Sequence, residues 1–283
     1  MEGTGSYGAG VARFLRAAGV AVVEVDRPNR QARRRSGKSD PLDAIEAARA
    51  ALSGGAAKSR DGNVEAIRAL VVAKRSARSA KIQALNQIRH LSFTAPEQLR
   101  QRLAGVSRHH LAARAAALRP ATGEGADPVI AATKTALRIL GRRVLALDEE
   151  KARIDALLST LVAQTAPQLL TVFGVGVDTA AALLVTAGDN PRRLRSEAAW
   201  AHLCGTAPIP ASSGKVTRYR LNRGGDRQAN CALWGIVITR LGNDPRTRAY
   251  MTRRLAEGRS KPEVIRILKR YVAREVYHRL PRP

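Results

Sequence analysis

The sequence is poor in acidic residues, cysteine and long apolar runs, and each shortage excludes a class of protein. Cys204 and Cys231 stand without Cys-x-x-Cys or Cys/His spacing, so neither a disulfide framework nor a zinc site is indicated. No stretch approaches the ~20 consecutive apolar residues of a membrane helix. We therefore expect a cytoplasmic protein that contacts no membrane.

Positive charge is what the sequence has in excess. The 283 residues hold 49 Lys plus Arg against 23 Asp plus Glu, a formal net charge of +26. Such an excess repels itself unless a polyanion neutralises it. Because the cations are spread over several segments and not concentrated on one amphipathic helix, nucleic acid is a better expected partner than a membrane surface.

The first 25 residues change their hydrophobic period twice. A Gly-rich start leads into an amphipathic helix through Val11, Phe14 and Leu15, and VAVVEV, residues 20–25, then predicts a short buried strand. One strand cannot satisfy its own backbone hydrogen bonds and needs sheet neighbours. The segment therefore predicts a fragment of an α/β fold, and we expect its other strands upstream of Met1.

Two long helices are predicted in the middle of the chain. Apolar residues recur at helical spacing from Val64 to Leu91, and a second helix follows the Pro/Gly-rich residues 120–128. In the second helix a heptad seam and a companion seam are visible, with Lys151 as the one polar intrusion. The heptad seam is Leu140, Leu147, Ile154 and Leu161, and the companion seam is Leu137, Val144 and Leu158. An antiparallel hairpin, an intermolecular coiled coil and an ordinary helical bundle all fit this pattern.

The last third begins with LLTVFGVGVDTAAALLVTAGD. Gly174 and Gly176 would let the backbone approach a phosphate at the start of the next helix, as in a helix-hairpin-helix clamp. A tight turn between two packed helices explains the same glycines. The segment KPEVIRILKRYVAREVYHRL predicts a final amphipathic helix with cations on its polar side.

Two acids three residues apart, Asp40 and Asp43, project from one face of the first turn of a predicted helix. A divalent metal at a phosphodiester needs such an oxygen cluster. Asp40 before Pro41 is also a good N-cap, and the helix dipole favours Asp43. Six cations precede the acids, and they either hold a phosphate backbone over a metal or form a solvated loop. They are Arg27, Arg30, Arg33, Arg34, Arg35 and Lys38.

The segment PASSGKVTRYRLNRGGDR places Ser212 and Ser213 before Gly214 and a run of cations. A serine hydroxyl is a poor nucleophile at neutral pH, so attack on phosphorus needs a base, or cations and metal around the phosphoryl oxygens. No histidine is near in sequence, which leaves the second route. A Ser-Gly turn beside a basic strand that contacts DNA explains the same residues. The cations expected to contact nucleic acid here are Lys215, Arg218, Arg220, Arg223 and Arg227.

Five segments together resemble, in order, the sequence blocks of the DEDD transposases of bacterial insertion sequences, the class numbered one-ten, which are related to Piv-type DNA invertases. They are EGTGSYGAGVARFL, VVEVDRPNRQARRRSGKSDPLDA, LLTVFGVGVDTAAALL, AAWAHLCGTAPIPASSGK and RLNRGGDRQANCALW. The resemblance implies a mostly α chain in three parts. A partial RNase H-like (RuvC-like) α/β domain at 1–58 and a helical or coiled-coil linker at 59–165 would precede a C-terminal transposase domain at 166–283, with a helix-hairpin-helix and a small β-ribbon.

Matched position by position, the acids of the family fall on Glu2, Asp40 and Asp43, and its serine, directly before a glycine, falls on Ser213. The first aspartate of the family would lie upstream of Met1. We therefore expect an N-terminally truncated chain with three of four metal-binding carboxylates and with weak or no activity.

The resemblance also implies a mechanism and partners. Mg²⁺ held by Glu2, Asp40 and Asp43 would form a composite site with Ser213, which would become covalently linked to a DNA phosphate. A homo-oligomer would join two DNA ends, and an element-encoded guide RNA would direct target choice. A non-catalytic DNA-binding remnant and a RuvC-like metal-dependent nuclease are the alternative functions.

Overall fold

The computed structural model describes residues 8–23, 40–52, 62–120, 127–189, 194–212 and 219–281, and these ranges are mostly helical, as predicted. The helices are α1 (Ala9–Ala17), α2 (Asp40–Leu52), α3 (Asn63–Thr94), α4 (Glu97–Leu103), α5 (Arg108–Ala116), α6 (Pro128–Thr165), α7 (Pro167–Leu170), α8 (Val177–Ala187), α9 (Glu197–Leu203), α10 (Arg227–Asn243), α11 (Pro245–Ala256) and α12 (Lys261–Tyr277). Strands β1 (Ile209–Pro210) and β2 (Tyr219–Arg220) form an antiparallel ribbon. None of the described helices is long and apolar enough to cross a membrane.

The chain divides into two compact units. The hairpin unit is residues 69–159, and the terminal unit combines residues 1–68 with residues 160–283. Each unit has its own buried residues, so each is described by itself.

In the hairpin unit α3 and α6 run antiparallel. Lys74 on α3 pairs with Asp155 on α6, and Lys81 pairs with Asp148. A step of seven residues up α3 thus corresponds to a step of seven down α6. The antiparallel hairpin, one of the arrangements that the sequence pattern allowed, is therefore present within one chain.

The core of this hairpin lies mainly on the companion seam. Leu137 and Leu158 are fully buried and Val144 is 1% exposed. On the heptad seam Ile154 is also buried, at 7% exposed, whereas Leu140 and Leu147 are half-buried. Helices α4 and α5 pack on the same cluster. The close approach of α5 to α6 depends on Gly141 of α6, where an added Cβ would lie 2.4 Å from the backbone nitrogen of Ala116 on α5.

In the terminal unit α10 is the central helix and contacts α8, α11 and α12. Its residues Leu233, Ile236 and Val237 are fully buried. The predicted amphipathic helix at the C-terminal end is confirmed as α12. Its buried apolar side is Val264, Leu268, Val272 and Val276.

The turn that contains Gly174 packs against α10. Gly174 has a φ of +85°, and an added Cβ would lie 3.2 Å from the carbonyl oxygen of Ile236. Arg240 Nε donates to the Phe173 carbonyl oxygen at 2.9 Å, and the N–H of Gly176 donates to Thr179 Oγ1 at 2.9 Å. Packing alone accounts for glycine at position 174, and phosphate contact at Gly174 and Gly176 stays a prediction.

The amphipathic N-terminal helix is confirmed as α1, but the strand predicted after it is not formed over its described part. Residues 20–23 are irregular, and Val20 and Val23 are about half exposed. A strand needs a sheet neighbour, and the one sheet in the described part of the chain is the ribbon of β1 and β2. Residues 24–25 lie outside the described ranges, and the RNase H-like domain stays a prediction.

Candidate nucleic-acid interface

The C-terminal end of α9 holds the ribbon at both of its ends. The last carbonyl groups of a helix have no partner within it. The Ala201 carbonyl accepts from the N–H groups of Thr206 at 2.9 Å and Ala207 at 3.1 Å, just before β1. The His202 carbonyl accepts from Asn222 Nδ2 at 2.9 Å, just after β2. The chain segments that enter and leave the ribbon are therefore fixed to neighbouring residues of one helix.

Two glycines bring the turns around the ribbon into direct contact. Gly205 has a φ of +66°, and a Cβ added at Gly225 would lie 2.3 Å from the backbone nitrogen of Gly205. Asn230 Nδ2 on α10 donates to the carbonyls of Cys204 at 2.9 Å and Gly205 at 3.2 Å. No side chain fits between these turns, so this backbone contact requires glycine at position 225. The contact and the Asn230 hydrogen bonds together hold the turns that flank the ribbon against α10.

Asp226 begins α10 directly after this contact. Its carboxylate accepts from the N–H groups of Gln228 at 2.8 Å and Ala229 at 3.0 Å, and its own N–H donates to the Leu203 carbonyl at 2.6 Å. The one acid among the cations of this segment is therefore a helix cap. Sequence reasoning missed the parts played by Gly205, Gly225 and the two asparagines, although Gly-Gly-Asp before an apolar helix was a usable N-cap signal.

The ribbon, α10 and α12 line a groove of about 1350 Å³. Three of the predicted nucleic-acid contacts lie here: Arg220, Arg223 and Arg227. Five further cations come from α12 and the turn before it: Arg259, Lys261, Arg266, Lys269 and Arg270. Among the described carboxylates, only that of Glu263 lines the same groove. From sequence alone these five cations were indistinguishable from cations on a solvent-exposed helix face. Only the fold shows that they line the same groove as the ribbon.

Two of the eight groove cations have defined partners. Lys269 Nζ donates to Asn230 Oδ1 at 2.8 Å, and burial, followed by the charge of Arg266, lowers the pKa of Lys269. Arg270 pairs with Glu197 of α9, which also accepts from Arg274 Nε at 2.9 Å. Partial burial would raise the pKa of Glu197, but its two arginine partners hold that pKa below the ordinary value.

The other six groove cations make no ion pair with any carboxylate in the described part of the chain. They are Arg220, Arg223, Arg227, Arg259, Lys261 and Arg266. Cations clustered on the walls of one cleft focus its positive potential. The groove is therefore suited to a polyanion.

The predicted nucleophile lies on the segment between the two strands. Ile209 pairs with Arg220 and Pro210 with Tyr219, so residues 211–218 connect β1 to β2. Ser212 is exposed. Ser213, Gly214, Lys215 and Arg218 lie outside the described residues. Tyr219 and Arg220 of β2, which follow that segment directly, line the groove.

The predicted metal ligands are covered only in part. α2 begins at Asp40, as predicted, so Asp40 and Asp43 share its first turn, although their side chains lie outside the described part. Glu2 and the cations Arg33, Arg34, Arg35 and Lys38 also fall outside it. Among the described side chains there is no group of three that could hold a metal ion. The backbone of α2 fits the predicted carboxylate pair, since positions one turn apart share a helix face.

Comparison with protein families adds two matches. Residues 166–252 match a model described as "Transposase IS116/IS110/IS902 family", and residues 1–94 match a DEDD model of the IS110 type described as "Transposase". Together they cover well over half of the chain. The chain belongs to the IS110 transposase family. In this IS110-family chain the C-terminal match contains α9, the ribbon and α10, whereas all of α12 lies beyond it.

Two curated proteins are similar to part of the chain. An uncharacterized 43.6 kDa protein of insertion element IS110 from Streptomyces coelicolor is 34% identical over 134 residues, which cover 46% of this chain and 33% of that protein. An uncharacterized 42 kDa protein of insertion element IS900 from Mycobacterium paratuberculosis is 27% identical over 139 residues, covering 48% of this chain and 35% of that protein. The chain thus spans about a third of the length of these relatives.

Proposed function

We propose that the protein is a DNA transposase or site-specific recombinase of an insertion sequence, with Ser213 as its nucleophile and Mg²⁺ bound by Glu2, Asp40 and Asp43. The groove is the observation that carries this proposal. It has eight cations against one carboxylate, and the strand that follows the Ser213 segment forms part of its lining. Family membership supports DNA as the polyanion.

The groove residues suit phosphoryl transfer from DNA to a serine. In this step the Ser213 Oγ–P bond forms and the bond from phosphorus to the leaving DNA oxygen breaks, while the serine hydroxyl proton passes through water to that leaving oxygen. Arg220 and Arg223 would bind the non-bridging oxygens and stabilise the charge that develops on them. Bound Mg²⁺ would add to that stabilisation. The phosphoserine bond keeps the broken end activated for rejoining.

The same proposal includes partners. The protein would act as a homo-oligomer that joins two DNA ends, and an element-encoded guide RNA would direct target choice. Because eight cations line the described groove, either nucleic acid could be bound through its phosphates.

The adjacent serines provide the test and its control. We would assay strand transfer on element-end DNA, and the covalent protein–DNA adduct, for Ser213→Ala and Ser212→Ala. The assay would use both this chain and a version extended upstream in its gene. Ser213→Ala should lose strand transfer and the covalent adduct while still binding DNA. Ser212→Ala should retain strand transfer, the adduct and DNA binding.

Other outcomes separate the alternatives. Cleavage that survives Ser213→Ala but is lost with Asp40→Ala would identify a metal-dependent nuclease. Tight DNA binding without any cleavage, in both versions, would identify a non-catalytic remnant. Equal activity of the two versions would contradict the expectation of a truncated, weakly active chain.

A further inference from the structure

The groove has aromatic walls as well as cationic ones. Trp234 on α10 and Tyr271 on α12 both line it and are 48% and 49% exposed. Leu233 and Val237 on α10 are fully buried, whereas Cys231 and Ile238, about one turn before and after Trp234, are exposed. Trp234 therefore lies on the exposed side of α10.

The ring of Tyr271 is held by its neighbours. It packs edge-to-face with Tyr250, with ring centroids 6.0 Å apart and planes at 89°. Arg254 Nε donates to the Tyr250 hydroxyl at 3.2 Å, and its Nη1 donates to Glu257 at 2.6 Å. Because these contacts fix the ring before any ligand binds, little side-chain entropy is lost on binding.

The two aromatic residues are also linked through the helices that carry them. Asn230 lies one turn before Trp234, and Lys269 lies two residues before Tyr271. The hydrogen bond from Lys269 Nζ to Asn230 Oδ1, at 2.8 Å, joins α10 to α12 at this level of the groove. The two helices that carry the rings are therefore joined by a hydrogen bond close to both rings in sequence.

We propose that Trp234 and Tyr271 form a stacking site for unpaired nucleobases, so that the groove binds single-stranded nucleic acid. A cationic groove with exposed aromatic rings suits a single strand, whose phosphates meet the cations while its bases stack on the rings. A regular duplex keeps its bases stacked inside and leaves the rings unused. A second copy of this chain is a poor occupant because it carries the same net charge of +26. The proposal rests on nucleic-acid binding in the groove, which the proposed function shares, but not on attack by Ser213.

The two tryptophans of the chain provide a direct test. Trp200 is fully buried and Trp234 is exposed, so a bound base should quench only the emission of Trp234. The full chain would be titrated with four probes of about 12 nucleotides or base pairs: an oligothymidylate, an oligouridylate, an abasic DNA strand and a DNA duplex. The DNA and RNA arms show which single strand is preferred, and preference for either supports the proposal.

Both base-containing single strands should quench the emission and bind more tightly than the abasic strand. Trp234→Leu should weaken their binding by about 5- to 150-fold, toward the level of the abasic strand, since Tyr271 remains. Trp234→Phe should retain most of the affinity, since a ring remains. The control Arg266→Gln should weaken the binding of all four probes, because it removes a phosphate contact, and should reduce the slope of log affinity against log salt by about one.

A thiol reaction gives a second readout that does not depend on Trp234. Cys231, three residues before Trp234, is exposed and lines the groove, whereas Cys204 is buried and its burial raises the pKa of its thiol. Single strands should therefore slow alkylation of Cys231 in the wild-type protein and in Trp234→Phe.

Three results would overturn the proposal. One is equal affinity for base-containing and abasic strands, and another is a Trp234→Leu variant that folds, by circular dichroism, and binds like the wild type. The third is a concentration-dependent change in Trp234 emission without nucleic acid, together with a rise in sedimenting mass, which would assign the rings to a subunit interface. Ser213→Ala should bind all four probes like the wild type, so failure of the nucleophile proposal would leave this result unchanged.

Discussion

The hairpin unit and the groove of the terminal unit use positive charge in opposite ways. In the hairpin, Lys74 and Lys151 both contact Asp155, and Lys81 pairs with Asp148. In the groove, six of eight cations have no ion pair with a described carboxylate. These three hairpin lysines therefore pair with carboxylates of α6, whereas most of the groove cations have no described carboxylate within ion-pair distance.

The two regions also differ in what holds them together. Leu137 and Leu158 fill the interior of the helix pair, whereas the ribbon is held by backbone hydrogen bonds and by the contact of Gly205 with Gly225. Core substitutions should therefore unfold the first region, and changes of backbone shape should disturb the second. Four experiments test this contrast, beginning with the one expected to have the largest effect.

Truncation of a seam leucine should destabilise the hairpin strongly. Leu137 is fully buried, whereas Leu140, one turn away, is half-buried. Leu137→Ala should lower the free energy of unfolding by about 2–5 kcal/mol, and Leu140→Ala by on the order of 1 kcal/mol. Urea denaturation followed by circular dichroism measures both. Equal losses would show that the heptad seam and the companion seam contribute alike.

An added methyl group at the glycine contact should disturb the groove. A Cβ at Gly225 would lie 2.3 Å from Gly205, whereas a Cβ at Gly224 would meet only Asn222 Oδ1, at 3.5 Å. Gly225→Ala should cost about 1–3 kcal/mol of stability and weaken nucleic-acid binding, while Gly224→Ala should be close to neutral. Thermal unfolding and filter binding would measure the pair, and wild-type behaviour of Gly225→Ala would contradict the rigid anchoring.

Removal of single cations should separate the regions by function. Arg223 lines the groove, and Arg142 is an exposed cation on α6 of the hairpin. Arg223→Gln should weaken DNA binding and reduce the slope of log affinity against log salt by about one, whereas Arg142→Gln should leave both unchanged. An equal effect of both changes would mean that DNA contacts the hairpin as much as the groove.

The ion pairs of the hairpin should have the smallest effect. A double-mutant cycle on Lys81 and Asp148 should give a coupling of about 0.2–1 kcal/mol, because both side chains are partly exposed, and the coupling should fall with added salt. Hydrogen bonds from Lys151 and Lys74 lower the pKa of Asp155. Its contribution to stability is therefore complete above the unfolded pKa of about 3.9 and is lost as the pH falls through the lower folded value. Stability of Asp155→Asn should depend less on pH in that range.

The periodic parts of the fold were predictable from sequence because helical packing repeats. The boundaries of α3, the long α6 and the amphipathic α12 follow from residues at helical spacing. The choice between seams did not follow, since α4 and α5 decide which side of α6 is covered. The strand predicted at residues 20–25 rested on local sequence alone, and its described part, residues 20–23, is irregular.

The candidate site was predictable only along one stretch of chain. Arg220, Arg223 and Arg227 follow each other in sequence, and their charge identified them. Arg259, Lys261 and Arg266 come from a distant segment and line the groove because α12 packs on α10. No sequence pattern distinguishes Trp234 from the buried apolar residues of α10, and only its exposure in the structure does so.

The anchoring of the ribbon has a consequence for the length of the segment that carries Ser213. Its entry is fixed to Ala201 and its exit to His202, so the ends stay close together whatever number of residues lies between them. The entropy of closing a longer loop rises by only about 0.6 kcal/mol for each doubling of its length. A change in the number of residues between β1 and β2 should therefore cost little stability and leave the described groove intact.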